Sequence, residues 1–115
     1  MRPQWRSLLL VALLFACESA YSDPNLLPDW LEDLIERLES DPVANPPASI
    51  ARWEYAAGVF YYLPPRCCDI YSDLYDSEGT LLCHPDGGIT GGGDGRCPLL
   101  GDRIREEIVW RDPRG

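Results

Sequence analysis

Leu27, Trp30, Leu31, Leu34, Ile35 and Leu38 recur at i, i+3, i+4, i+7, i+8 and i+11, with acidic residues filling the positions between. That spacing predicts one amphipathic helix over residues 28–40. Pro28 suits its first turn, Asp29 with Glu32 suits a capping box, and Asp33 with Arg37 forms an i, i+4 pair. Asp41 before Pro42 ends it. The stripe suits packing on a sheet better than a partner-binding helix, since a small domain must bury such a face.

The period then changes. After a loop stiffened by Pro46 and Pro47, IARWEY and VFYYL are β-branched and aromatic runs joined by Ala56, Ala57 and Gly58, which predicts a β-hairpin. Ala51, Trp53 and Tyr55 share one face of its first strand, and Val59, Tyr61 and Leu63 one face of its second. Both faces are expected to seat the helix. Pro64 and Pro65 stop the strand. Tyr71–Tyr75 and Thr80–Cys83 flank Asp76-Ser77-Glu78-Gly79, a type I turn with Gly at the left-handed position, and predict a second hairpin. At the end of the chain, alternation around Ile108 and Trp110 favours a strand over 106–111, with a short helix from Asp102 as the alternative. The expected fold is α+β: one amphipathic helix packed on a small antiparallel sheet, with a disulfide-stapled Gly-rich loop.

The compartment decides how the cysteines are read. Arg2 and Arg6 precede an apolar run from Leu8 to Ala16 that is too short for the ~20 residues of a membrane span. Met1–Cys17 resembles a bacterial lipoprotein signal, in which Cys17 becomes the lipidated residue. An ordinary secretory signal fits less well because the A-x-A pattern is absent. The expected organisation is a signal peptide over 1–16, the lipidated Cys17 and its tether over 17–25, and a single small cysteine-containing domain over 26–115. Its place is extracytoplasmic, anchored to a bacterial membrane. Glu18 in place of the Asp of the inner-membrane retention signal leans towards the outer membrane.

Removal of residues 1–16 takes away two arginines and moves the formal charge from −9 to −11. Such a balance argues against nucleic acid and anionic headgroups as partners.

With Cys17 acylated, the remaining Cys67, Cys68, Cys83 and Cys97 form an even set suited to two disulfides. Adjacent cysteines on an extended chain point apart, so Cys67 and Cys68 are expected to bridge to Cys83 and Cys97 in one of two orders. Each bridge closes a loop of about 15 to 30 residues and contributes ~3 to 4 kcal/mol in the chain-entropy model.

Between the last two cysteines, HPDGGITGGGDGR is too rich in glycine for a regular element. Two readings of it compete. Bridges force tight turns that only glycine tolerates; alternatively the loop is a binding surface made of Pro85, Asp86, Gly87, Gly88, Thr90, Gly93, Asp94, Gly95 and Arg96. Phosphate cradling lacks its motif and there is no Lys. Calcium would use Asp86 and Asp94 near Asp69, Asp73, Asp76 and Glu78, without EF-hand spacing. Zinc lacks a C-x-x-C pair, and His84 is the only histidine. No catalytic residue, metal or cofactor is expected, since bridged cysteines are not nucleophiles and the hydroxyls nearest His84 in sequence, Ser77 and Thr90, sit in no nucleophile-elbow context.

The string YYLPPRCCDIYSDLYDSEGTLLCHPDGGITGGGDGRCP, Tyr61 to Pro98, resembles an uncharacterised family of small bacterial lipoproteins, a domain of unknown function. Its pattern is similar to Y-Y-x-P-x-x-C-C-D, then L-Y-D-x-x-G, then C-x-P-D-G-G-x-T-G-x-G-D-G-x-C-P. The resemblance implies export, lipidation and a domain defined by its cysteine-glycine segment; it brings no activity with it. The leading expectation is a non-enzymatic envelope module that binds a protein or glycan partner through residues 85–96. A small protease inhibitor offering Arg96 to a trypsin-like S1 pocket is the alternative, and a carboxylate hydrolase ranks behind both.

Overall fold

The structure, a computed structural model, describes residues 26–67 and 69–115; the expected signal peptide, Cys17 and tether (1–25) and Cys68 lie outside the described residues. Helix α1 runs Asp29–Ser40. Five strands follow: β1 (Ser49–Tyr55), β2 (Gly58–Leu63), β3 (Asp73–Asp76), β4 (Leu81–Cys83) and β5 (Arg105–Arg111). They form one antiparallel sheet in the order β4-β3-β2-β1-β5. Four strands therefore meander, and the chain returns to the free edge of β1. The α+β class follows from the two periodicities.

The hydrophobic stripe of α1 behaves as its spacing requires. Leu31, Leu34 and Leu38 are buried against Ile50, Tyr61 and Leu63, with Leu27, Trp30 and Ile35 packed at the margin. The polar details differ. Asp29 is already helical, so Pro28 is the N-cap and no side chain caps the helix; the Asp29–Glu32 capping box does not form. The carbonyl of Pro28 instead accepts from the N–H groups of Leu31 (3.0 Å) and Glu32 (3.1 Å), while the two carboxylates still oppose the helix dipole. The Asp33–Arg37 ion pair does not form either; Arg37 lines a cleft beside β2 and β3.

The hairpin β1–β2 corrects the expected seat of the helix. Tyr55 pairs with Gly58, so the turn is Ala56-Ala57 alone and Gly58 belongs to the strand. A two-residue turn places odd residues of β1 opposite even residues of β2: Trp53 faces Phe60, and Ala51 faces Tyr62. Val59, Tyr61 and Leu63 lie under the helix as expected, whereas Ala51, Trp53 and Tyr55 belong to the other face of the sheet. A one-residue change of register exchanges faces in this way. A second cluster occupies that other face, where buried Phe60, Leu74 and Cys83 meet Trp53, Tyr55, Tyr62, Cys97 and Leu100.

The β3–β4 turn is tied to the helix. Asp76 Oδ1 accepts from the N–H groups of Glu78 and Thr80, each at 2.9 Å, and Gly79 has φ +89°. Trp30 Nε1 donates to the Ser77 carbonyl at 2.9 Å, and its ring meets Tyr61 edge-on at 5.3 Å. A Cβ on Gly79 would lie 2.6 Å from that indole.

The C-terminal residues close the other end of the helix. Asp112 is buried, and its carboxylate accepts from Arg114 Nε (3.0 Å) and Nη2 (2.8 Å). The same guanidinium donates to the carbonyls of Leu38 (3.2 Å) and Asp41 (2.9 Å), which the helix leaves open. Arg114 thus does the work of a C-cap from 73 residues away. Its side chain and backbone N–H, donating to Asp112, hold that carboxyl below its ordinary value of 3.8.

Gly79→Ala combines left-handed strain with an indole clash and is expected to cost about 2–4 kcal/mol in urea unfolding. Gly91→Ala, also at positive φ but with open space around it, should cost only about 1 kcal/mol. A depressed carboxylate stabilises the fold above its unfolded value and loses that contribution as pH falls through its folded value. Asp112→Asn should therefore lower the thermal midpoint at pH 7, with the gap to the parent chain narrowing as the pH is taken below 3.8.

Candidate functional site

The chain between β4 and β5 lies over the sheet face opposite the helix, and its geometry begins at Cys83. Cys83 and Cys97 are bonded to each other, with Cα atoms 5.1 Å apart. The expected bridges from Cys67 and Cys68 to these two residues are thereby overturned. The reason is local: the loop doubles back, and the Asp94 N–H donates to the His84 carbonyl at 2.9 Å, which brings residue 97 beside residue 83. Cys67 is also disulfide-bonded.

Backbone groups bind the loop to itself and to the segment that leads into β3. Gly93 N–H donates to Gly87 O, Gly87 N–H to Gly91 O, and Gly91 N–H to Gly88 O, at 3.1–3.2 Å. Gly88 N–H donates to Ile70 O and Ser72 N–H to Asp86 O. These contacts leave no room for side chains. A Cβ on Gly87 would meet the Ile70 carbonyl at 2.5 Å, and one on Gly93 would meet the His84 carbonyl at 2.1 Å. Here glycine is required by approach as well as by its positive φ.

Asp86 fastens this assembly to the sheet. Its backbone N–H and carbonyl both bond the hydroxyl of fully buried Ser72, each at 3.0 Å. Its carboxylate accepts from the Tyr62 hydroxyl at 2.7 and 2.8 Å. Burial, followed by the hydrogen bond to Asp86 and then by its charge, pushes the Tyr62 phenol well above its ordinary value of 10.0. Tyr62 stacks on Trp53 with ring centroids 4.2 Å apart, the Arg103 guanidinium lies 4.6 Å from the Trp53 ring, and Trp53 Nε1 donates to Glu106 Oε2 at 2.6 Å. One line of contacts thus links the loop through Tyr62 and Trp53 to β5.

His84 is a positioning group. Its Nδ1 lies 2.8 Å from the Ser72 carbonyl and 2.9 Å from Asp73 Oδ1. Both neighbours are acceptors, so Nδ1 carries the hydrogen. The pinned ring stacks on Tyr71 at 5.0 Å.

The nine loop residues named from the sequence therefore separate. Asp86, Gly87, Gly88 and Gly93 hold the loop; Asp94 does so too, its carboxyl held below the usual range by the donating backbone N–H of Arg96. Pro85 is half-buried, while Thr90, Gly95 and Arg96 face outwards. The exposed partners missed by the sequence reading are apolar. Ile89 is 91 % exposed, Ile70 52 % and Tyr71 44 %. Asp69, Tyr71, Gly88, Ile89 and Thr90 line a cleft of about 450 Å³. A signal existed: Ile70 and Ile89 each stand among turn residues that no periodicity carries into a core.

The acidic residues offered for calcium have separate partners, Asp73 with His84, Asp76 with its own turn and Asp86 with Tyr62. Among the described residues no group of three or more His, Cys, Asp or Glu side chains is placed to hold a metal ion.

The sheet and the glycine-rich loop together match a family model. Residues 36–112 match the family described as Domain of unknown function (DUF6970). The chain belongs to this family. The DUF6970 match begins within α1 and takes in all five strands, the loop and Asp112. No curated protein and no solved structure matches the chain.

Tyr62→Phe removes the hydroxyl that satisfies Asp86 while keeping the stack on Trp53. It is expected to cost about 1–3 kcal/mol in denaturant unfolding, with the far-UV spectrum unchanged. An unchanged stability would show that Asp86 is satisfied without the phenol.

Proposed function

We propose that this DUF6970 chain is a non-enzymatic, extracytoplasmic binding module, exported by residues 1–16 and anchored to a bacterial membrane through lipidated Cys17. It engages an envelope protein or glycan through the surface formed by Ile89, Thr90, Tyr71 and Ile70. The observation that carries this reading is a contrast: the loop backbone is braced by a disulfide and a ladder of hydrogen bonds, yet its Ile89, with Ile70 and Tyr71 of the neighbouring segment, is exposed. A braced loop loses little conformational entropy on binding. Exposed apolar groups beside a cleft are the usual mark of an interaction surface.

The protease-inhibitor reading is weaker. Gly93 and Gly95 have φ of +73° and +69°, and the Arg96 N–H is turned back onto Asp94 Oδ1 at 3.0 Å. An arginine offered to an S1 pocket needs an extended approach, which these turns oppose.

The test uses the full chain expressed with its own signal. Metabolic labelling with palmitate and detergent-phase partitioning should place the parent chain in the lipid phase and Cys17→Ser in the aqueous phase. With anchoring established, the domain is incubated with envelope extract and with purified cell-wall sacculi. Retention by the parent chain, lost on Ile89→Asp with an unaltered thermal midpoint, is the expected result. Equal retention by both chains, or by neither, would contradict the proposed surface.

A further inference from the structure

A second cleft, on the helix face of the sheet, carries chemistry of its own. It has a volume of about 280 Å³ and lies between the C-terminal half of α1 and the strands β2 and β3. Leu34, Leu38 and Leu63 form an apolar floor, since each is buried by the helix and yet lines the opening. Tyr75 stands at its wall. Burial, followed by the charge of Asp73 and a hydrogen bond to it, pushes the Tyr75 phenol above its ordinary value, so this hydroxyl is turned to Asp73.

The charges around the opening are unequally engaged. Arg66 Nη1 is 3.5 Å from Asp41 Oδ2, and Asp73 holds His84. Arg37 also lines the cleft, but among the described residues its guanidinium has no carboxylate within ion-pair distance. This is notable in a chain with 19 acidic and 10 basic residues, where Asp33 and Asp41 stand four residues before and four residues after Arg37. A guanidinium without its local partner, above a floor of three leucines, matches a single carboxylate on an apolar body. A phosphate dianion suits the cleft less, because Asp41 and Asp73 face it from the walls. The volume lies just under the ~300 Å³ at which pockets for drug-sized ligands begin, which sets the occupant at a few tens of heavy atoms or fewer.

We propose that this cleft binds a small carboxylate with an aliphatic body, paired to Arg37 and seated on Leu34, Leu38 and Leu63. A free branched-chain acid and the C-terminus of a short apolar peptide share that chemistry. The site shares no lining residue with the cleft beside Ile89.

Amide chemical shifts of the full chain, titrated with 4-methylpentanoate, N-acetyl-Leu-Leu and N-acetyl-Leu-Leu-amide, test it. Shifts centred on residues 34–41 and 63–66 are expected with one or both acids, identifying the free acid or the peptide terminus as the source. Arg37→Gln should weaken that binding at least about tenfold. Arg37 is exposed on the helix, so the variant is expected to keep the parent spectrum elsewhere. Arg37→Lys keeps the charge but loses the fork, and should fall between the two. No shifts with either acid at 10 mM, on the order of tenfold above a millimolar Kd, would overturn the proposal. So would equal binding of the amide, or undiminished binding by Arg37→Gln.

Discussion

A five-stranded sheet has two faces to cover, and the described chain has one helix with which to cover them. The helix takes the face of Ile50, Tyr61 and Leu63. The face of Trp53, Phe60, Tyr62 and Leu74 is left to the segment between β4 and β5, which has almost no apolar side chains to contribute beyond Cys97 and Leu100. Its attachment is therefore polar and covalent. Backbone hydrogen bonds within the loop, the Ser72–Asp86–Tyr62 contacts and the Cys83–Cys97 bond replace the hydrophobic area that a second helix would bury. The density of glycine follows from the same need, because the backbone must approach Ile70, Tyr71 and His84 more closely than any Cβ allows.

Much of this was legible. The i, i+3, i+4 stripe gave α1 its length and its buried face, the alternating aromatic runs gave β1 and β2, and Asp76-Ser77-Glu78-Gly79 gave the second turn. Each of these is local information. What could not be read was set by parity and by distance. Whether Gly58 belongs to a turn or to a strand changes the hairpin register by one residue, and with it the face on which Trp53 and Tyr55 lie. Arg114 reaches carbonyls 73 and 76 positions back, a contact with no periodic signature. Cysteine order failed for a related reason. The argument from opposed side chains at Cys67 and Cys68 holds for an extended strand, whereas the pairing of Cys83 was decided by glycine turns that fold its own loop back.

At the candidate site the sequence located the segment but not the division of labour within it. Polar residues in a loop attract a functional reading, yet the carboxylates of Asp86 and Asp94 are occupied in holding the loop, the first by Tyr62 and the second by the Arg96 N–H. Exposed beside Thr90 are the apolar Ile70, Tyr71 and Ile89, which a reading centred on chemistry-bearing groups passes over. The loop is a cover for the sheet first, and the proposed recognition depends on that cover being rigid.

The central claim is that the glycine-rich loop is closed on itself by Cys83 and Cys97. Non-reducing peptide mapping tests it directly, using trypsin with Glu-C because no Lys or Arg separates Cys67 from Cys83, whereas Glu78 does. The account predicts that the Cys83 peptide, beginning at Gly79, is joined to the peptide beginning at Cys97 and to no other. A bond from either of these peptides to the one carrying Cys67 and Cys68 would contradict it, and the loop would then be held to the sheet by a different constraint.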